Sequence, residues 1–245
     1  MTFAGGALAL AIGMAMGLFG AGGSLLLVPG LTYLMGFDAK QAITTSLAVV
    51  GISAAVGSAA RLLRGSLPLK PALVIGIATV VGAFAGSAIG ARLDDGVQLR
   101  IFGVVSMVAA LGLAWQSAVS ERASQPARGR AALAAAGVGV GFATGLLGVG
   151  GGFLIVPALV IGANLDMREA TGVSLFVMVP ATISAFIGYA GTVTPAWSFV
   201  LPFAAVASAG TVAGGFAGHA VPQRRLQQIF AASLIAIAAF ILIRG

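Results

Sequence analysis

Gly17-Leu-Phe-Gly20-Ala-Gly22-Gly23-Ser24-Leu-Leu-Leu-Val28-Pro29 returns later in the chain as Gly145-Leu-Leu-Gly148-Val-Gly150-Gly151-Gly152-Phe-Leu-Ile-Val156-Pro157. The offset, 128 residues from Gly17 to Gly145, holds without a gap well beyond the phrase. Asp38 falls on Asp166, Ala42 on Ala170, Ser46 on Ser174 and Leu47 on Leu175. Farther on, Gly86 falls on Gly214, Gly90 on Gly218 and Ile101-Phe102 on Ile229-Phe230. The chain therefore reads as two copies of one unit, 1–119 and 131–245, joined by a polar linker at 120–130. Each copy carries an apolar segment broken by glycines.

Around these phrases the chain is 59% hydrophobic and 8% charged over 245 residues. A soluble domain carries about 25% charged residues, so this chain has no polar surface to offer water. It reads as an all-α polytopic membrane protein with no separate soluble domain. Cysteine is absent, which excludes disulfides, thiolate metal sites and a cysteine nucleophile. The net charge of +7 comes from basic residues standing singly or in pairs at segment ends. That distribution suits membrane orientation and argues against nucleic acid as a partner. The first residues, Met1-Thr-Phe-Ala-Gly-Gly, lack a basic n-region, and the segment after them has a counterpart near 131–147. It is expected to be retained structure rather than a cleaved signal.

Apolar segments are expected near 3–19, 24–36, 40–63, 70–91 and 97–117, then 131–147, 152–163, 168–190, 196–220 and 224–243. Gly82-xxx-Gly86-xxx-Gly90, Gly137-xxx-Gly141-xxx-Gly145 and Gly214-xxx-Gly218 have the small-residue spacing that lets helices approach closely in lipid. As one straight helix, residues 3–36 would run about 51 Å, too long for a hydrocarbon core of about 30 Å. A hairpin bent at Gly20–Gly23 fits better. With hairpins, nine basic residues (Arg61, Arg64, Lys70, Arg122, Arg128, Arg130, Arg168, Arg224, Arg225) share one side, and four (Lys40, Arg92, Arg100, Arg244) the other. With each pair as one broken crossing the division is six against seven. The positive-inside rule favours the hairpins. Each copy then has a hairpin plus three crossings, so the copies are expected to be inverted, with a cytoplasmic linker and both termini outside.

A short helix is expected to start after each glycine turn, at about Ser24 and Gly152. Its first N–H groups have no partner within the helix and carry the positive end of its dipole. Glycine lets a ligand approach that backbone. Inverted copies would bring the two turns together from opposite sides near the midplane, an anion site with no buried cation. Tight helix packing is the competing reading for these glycines. The recurrence of the phrase at a break followed by Val-Pro favours the site, in which Gly22 and Gly150 must lack a side chain. Pro29 and Pro157 are expected to shape the short helices. Asp38-Ala-Lys-Gln41 and Asp166-Met-Arg-Glu169 have the capping-box spacing. That explains the aspartates better than a role in binding a coupling ion. Thr45, Ser46 and Ser174 follow. Their hydroxyls either donate to an anion or bond back to their own helices, and the symmetry of Ser46 with Ser174 favours the former. His219, the single histidine, reads as interfacial. All six carboxylates lie at segment ends or in loops, so no mid-membrane proton relay has a candidate. No nucleotide, zinc-protease or hydrolase motif occurs, and neither catalytic residues nor metal nor cofactor are expected.

Gly-xxx-Gly-xx-Gly-x-Gly-Gly-xxxx-Val-Pro from Gly13 to Pro29, with Ala42-xx-Thr45-Ser46-Leu47 following, resembles the sulfite exporter TauE/SafE family, also called the 4-toluene sulfonate uptake permeases. The second half repeats the pattern from Gly141 to Pro157 and Ala170 to Leu175, with Val173 where the family usually has threonine. The resemblance implies a bacterial-type inner-membrane permease for small anions such as sulfite, sulfonates, sulfoacetate or short carboxylates. The combined expectation is a secondary transporter working by alternating access, with an anion channel on the same site as the alternative. Its partners would be a small anionic solute, membrane lipid and, in a coupled carrier, a coupling ion. The expected binding residues are Gly20, Gly22, Gly23, Ser24, Thr45, Ser46, Gly148, Gly150, Gly151, Gly152 and Ser174.

Overall fold

A computed structural model describes residues 3–65, 69–119, 130–148, 152–162, 165–189, 191, 193–218 and 220–244. Every regular element among them is helical. The first copy contains α1 (Phe3–Phe19), α2 (21–34), α3 (Ala39–Leu63), α4 (Leu69–Gly90) and α5 (Asp95–Val119). The second contains α6 (Arg130–Leu147), α7 (152–162), α8 (Met167–Gly188), α9 (Trp197–Ala217) and α10 (Gln223–Arg244). Helix ends fall within a few residues of the sequence expectation. The largest shifts are three residues: α9 ends at Ala217 rather than 220, and α2 begins at Ala21 rather than Ser24, with a tight 3-10 turn over Ala21–Leu26. Both short helices change pitch after their prolines, widening over Gly30–Leu34 and Ala158–Gly162. Pro29 and Pro157 cannot donate to the carbonyl four residues back, and the helical register loosens at that point.

Among the described residues six helices are long and apolar enough to cross a membrane: α3, α4 and α5, then α8, α9 and α10. That is three per copy. The four helices of the broken pairs are shorter. α2 folds back along α1. A Cβ on Gly23 would meet the Ile12 carbonyl and lie 2.5 Å from the Met16 amide, whereas Gly30 faces Leu8 at 3.5 Å. Residue numbers rise on one helix as they fall on the other, so the pair is a hairpin. The broken-crossing alternative would put Arg61 and Arg168 on opposite faces. Instead Arg61 Nη1 lies 3.5 Å from the Arg168 carbonyl oxygen.

Glycine decides how the hairpins dock. α1 runs parallel to α9, with Gly13 against Ala207 and Gly17 against Thr211 and Gly214. α6 runs parallel to α4, with Gly86 against Phe142, Gly141 against Thr79 and Gly145 against Ala83. A Cβ at Gly13 would sit 2.9 Å from the Ala207 Cα, and one at Gly86 would sit 2.8 Å from the Leu146 amide nitrogen. The helix backbones therefore touch, as the small-residue spacing predicts. Each hairpin's first helix packs on the fourth helix of the other copy.

At the centre α3 and α8 run antiparallel. Gly51 faces Thr182, Gly57 faces Leu175, and Arg61 reaches Arg168. These two are the most deeply buried of the six long helices, and α5 and α10 the least. Three of the hydroxyls of α8 bond within their own helix, among them Thr171 Oγ1 to Met167 O at 2.6 Å and Thr182 Oγ1 to Met178 O at 2.8 Å, while Ser184 Oγ donates across to Val80 O of α4 at 2.9 Å. This back-bonding lets a hydroxyl sit in an apolar interior. α5 pairs with α10 and exposes Val104, Val108, Leu111 and Trp115. Their spacing of three and four residues makes one apolar stripe, facing lipid. The 128-residue shift maps α1–α9 onto α6–α4, and maps α3–α8 and α5–α10 onto themselves. The packing thus has the same duplication as the sequence.

Candidate functional site

Both broken pairs turn at a glycine with left-handed backbone, Gly20 at φ 74° and Gly148 at φ 63°. Glycine alone adopts this freely. The Gly20 turn rests on α8, where a Cβ would strike Ser174 Oγ and come within 2.9 Å of the Thr171 Cα. The Gly148 turn rests on α3, where a Cβ would strike Ile43. Ser46 Oγ lies 3.1 Å from the Gly148 carbonyl oxygen and 2.8 Å from that of Ile43. A hydroxyl has one hydrogen, so the two carbonyls share it. Ser174 Oγ donates to Thr171 O at 2.9 Å. Thr171 and Ser174 are the 128-shift counterparts of Ile43 and Ser46. The copies trade contacts, with the glycine turn of each seated on the hydroxyl-bearing helix of the other.

The two turns do not meet at one point. One sits level with Ser46 on α3, the other level with Gly57, which faces Leu175 beside Ser174. At 1.5 Å per residue that separation is roughly 16 Å. What meets between them is the start of each short helix, Ala21–Leu26 packing against Gly152–Pro157. The expectation that the two turns come together near the midplane is therefore corrected: the hairpins overlap. The physical reason is length. α1 has 17 residues, about 26 Å of helix, enough to carry its tip past the middle of a core of about 30 Å.

The expected binding residues divide accordingly. Gly20 and Ser174 gather at one depth and Gly148, Thr45 and Ser46 at the other, with Ser24 in the Ala21–Leu26 turn between them. Ser24, Thr45, Ser46 and Ser174 are fully buried. The Thr45 hydroxyl has no hydrogen-bond partner among the described residues, and its counterpart Val173 is equally buried. Gly23 turns its Cα toward α1, so its lack of a side chain serves hairpin closure. Gly22 lies in the tight turn Ala21–Leu26 and Gly152 opens α7. Gly150, Gly151, His219 and most of the linker fall outside the described residues.

Asp38 and Asp166 occupy the expected N-cap positions, with extended backbone, but neither side chain makes a capping hydrogen bond. The aspartates thus match the capping pattern by position and backbone and not by a side-chain bond. Asp38 lies exposed at the end of α3, where solvent can satisfy its carboxylate.

The sequence reading missed a polar cluster behind it. Lys40 Nζ donates to Gly90 O at 2.9 Å, Leu93 O at 2.8 Å and Gln98 Oε1 at 3.2 Å. Gln98 Nε2 lies 2.6 Å from both Leu146 O and Tyr189 Oη. Gln98 and Tyr189 are almost wholly buried. At the opposite end Arg168, the counterpart of Lys40, donates to Val221 O at 3.3 Å, and Val221 is the counterpart of Leu93. Arg61, the counterpart of Tyr189, donates to Gly17 O at 3.3 Å. Arg61, Arg168 and Thr171 line a small cleft with Leu18, Gly215, Gly218 and Leu226. Reading the polar residues through the 128-residue shift would have paired these two ends. Among the described residues no group of three His, Asp or Glu side chains could hold a metal ion.

Six spanning helices and two glycine-broken hairpins seated across a duplicated core define a multi-pass helical membrane protein. The sulfite exporter TauE/SafE family profile matches residues 5–241, and the chain belongs to that family. It is 30% identical over 244 residues to a probable membrane transporter protein of Xylella fastidiosa, covering 96% of this chain and 92% of that one. A probable membrane transporter protein of Methanocaldococcus jannaschii is 28% identical over 73% of this chain and 68% of its own length. One from Bacillus subtilis, YdhB, is 26% identical over 73% and 74%. No solved structure matches the chain. The protein is a membrane transporter, in keeping with the family and the names of these relatives.

Proposed function

We propose that the protein is a secondary permease for small oxyanions, sulfite, sulfonates or short carboxylates, working by alternating access in a bacterial-type inner membrane. The observation that carries this reading is the reciprocal seating of the two glycine turns, Gly20 on Ser174 and Thr171, and Gly148 on Ser46 and Ile43. Lys40 and Arg168, equivalent in the repeat, lie at opposite ends of α3. We therefore read the copies as inverted, with the linker side cytoplasmic by the nine-to-four division of charge. Each turn is then a half-site at its own depth, presenting helix N–H groups with hydroxyls beside them. The Thr45 hydroxyl, without a partner among the described residues, supports this, because a buried, unpaired donor costs about 1–3 kcal/mol unless something accepts from it. Rocking one copy against the other along α3–α8 would open the half-sites in turn.

The test is uptake into proteoliposomes of labelled sulfite, methanesulfonate and acetate, with unlabelled anion loaded inside. Saturable uptake accelerated by internal anion is expected of a carrier. Uptake that neither saturates nor responds to the internal anion would make the protein a channel. Transport of neutral solutes with all three anions inert would overturn the reading.

A further inference from the structure

We infer that Arg61 and Arg168 form an anion-capture site at one mouth of the protein, and that Lys40, Gln98 and Tyr189 latch the equivalent place at the other. The inference rests on the permease reading and adds to it a residue pair that recruits the substrate. The 128-residue shift superposes the two places: Lys40 on Arg168, Tyr189 on Arg61 and Gln98 on Leu226. A symmetric device would carry the same chemistry at both, and this one does not.

At the Lys40 end the positive charge is held by three acceptors, the carbonyl of Gly90 at the end of α4, that of Leu93 in the connection after it, and Gln98 Oε1. Gln98 then ties α5 to Leu146, in the last turn of α6, and to Tyr189. Tyr189 Oη reaches the same Leu146 carbonyl at 3.2 Å. Five helices, α3, α4, α5, α6 and α8, are thereby joined across the approach to the Gly148 turn, which follows Leu146 by two residues. The seal is polar and uncharged apart from one ammonium.

At the other end two guanidiniums line one cleft, and among its described lining residues there is no carboxylate. Arg64 adds a third positive charge nearby, stacked 3.5 Å over the Phe216 ring. A guanidinium offers five N–H donors in a planar fork that matches a carboxylate or a sulfur oxyanion. Arg61 already serves the Gly17 and Arg168 carbonyls through two of its nitrogens, and its planar fork allows an oxyanion to be bound alongside. The floor of the cleft is Thr171, the residue against which the Gly20 turn packs. The cleft therefore leads to one half-site, about one turn of α8 below Arg168. Charge at such a mouth raises the local anion concentration and the encounter rate, in a manner weakened by salt.

The test measures uptake of the best anion of the sulfite, methanesulfonate and acetate set, presented to each face separately in inside-out and right-side-out vesicles. Arg168 is exposed, so Arg168→Gln should fold; Arg61→Lys keeps a charge at the half-buried position. Arg168→Gln is expected to raise the half-saturation concentration about tenfold at the Arg face alone, with the maximal rate little changed and a flatter salt dependence. Arg61→Lys should lie between wild type and Arg61→Gln. Tyr189→Phe should leave half-saturation at the Arg face unchanged. Half-saturation and salt dependence in Arg168→Gln and Arg61→Lys matching wild type at that face would overturn the inference and leave the permease reading standing; the arginines would then be topological anchors only. A wild-type protein that moves none of the three anions would remove both.

Discussion

Gly20 and Gly148 show how much one missing methyl can decide. Each combines a backbone that an L-residue adopts at a cost of about 1–2 kcal/mol with a neighbour standing where Cβ would be. Gly20→Ala is expected to lower the melting temperature in detergent by several degrees. Gly148→Ala should do the same and be partly rescued by Ile43→Ala, because the obstructing atom there is the Ile43 Cγ2. A double-mutant cycle measures that coupling. An additive pair would mean that the turn does not rest on Ile43. Asp38 makes the opposite case. Its side chain accepts no capping bond, so Asp38→Asn and Asp38→Ala should both fall short of the roughly 1 kcal/mol of a lost cap and keep wild-type uptake. Strong loss of transport in folded Asp38→Asn would assign the carboxylate a part in coupling.

Among the elements, α3 and α8 carry the relation between the copies. A Cβ on Gly51 would lie 3.6 Å from Thr182 Cβ, within the range that a disulfide spans. In a chain with no native cysteine, Gly51→Cys with Thr182→Cys should oxidise to a bridge across the middle of the antiparallel pair. Transport should stop on oxidation and return on reduction if the copies move against each other here. A bridged protein that transports at the wild-type rate would place the motion elsewhere, in the hairpins. The glycine seams α1–α9 and α4–α6 are a different kind of contact, because backbone meets backbone there. They fix each hairpin's first helix to the other copy's scaffold.

For the whole molecule, the two ends are defined by contacts that span the sequence. Lys40 reaches Leu93, which places Asp38 and Asp94 together. Arg168 reaches Val221 and is reached by Arg61, which places Ala220 and Arg224 with the other end. Single cysteines at Asp38 and Asp94 should therefore react with an impermeant thiol reagent from outside intact cells. Cysteines at Ala220 and Arg224 should react only after permeabilisation. The reverse pattern would invert the orientation, and a mixed pattern within either pair would overturn the arrangement of the ends.

The duplication, the helical membrane class, three long crossings per copy and the close helix seams were all legible in the chain. They follow from composition, a 128-residue period and small-residue spacing, which are local or strictly periodic properties. The hairpin could be inferred from helix length and charge sidedness, because the bilayer acts on a segment whatever its partners are. How far the hairpin tips overlap, and hence that the glycine turns lie at two depths, depended on how α1 and α6 dock against α9 and α4. The pairing of Lys40 with Gln98, of Gln98 with Tyr189 and of Arg61 with Arg168 joins residues 58 to 107 positions apart. No local rule sets such a pairing. It arises because a desolvated donor must find its acceptors among whatever the packed helices bring near, and only the tertiary structure decides which those are.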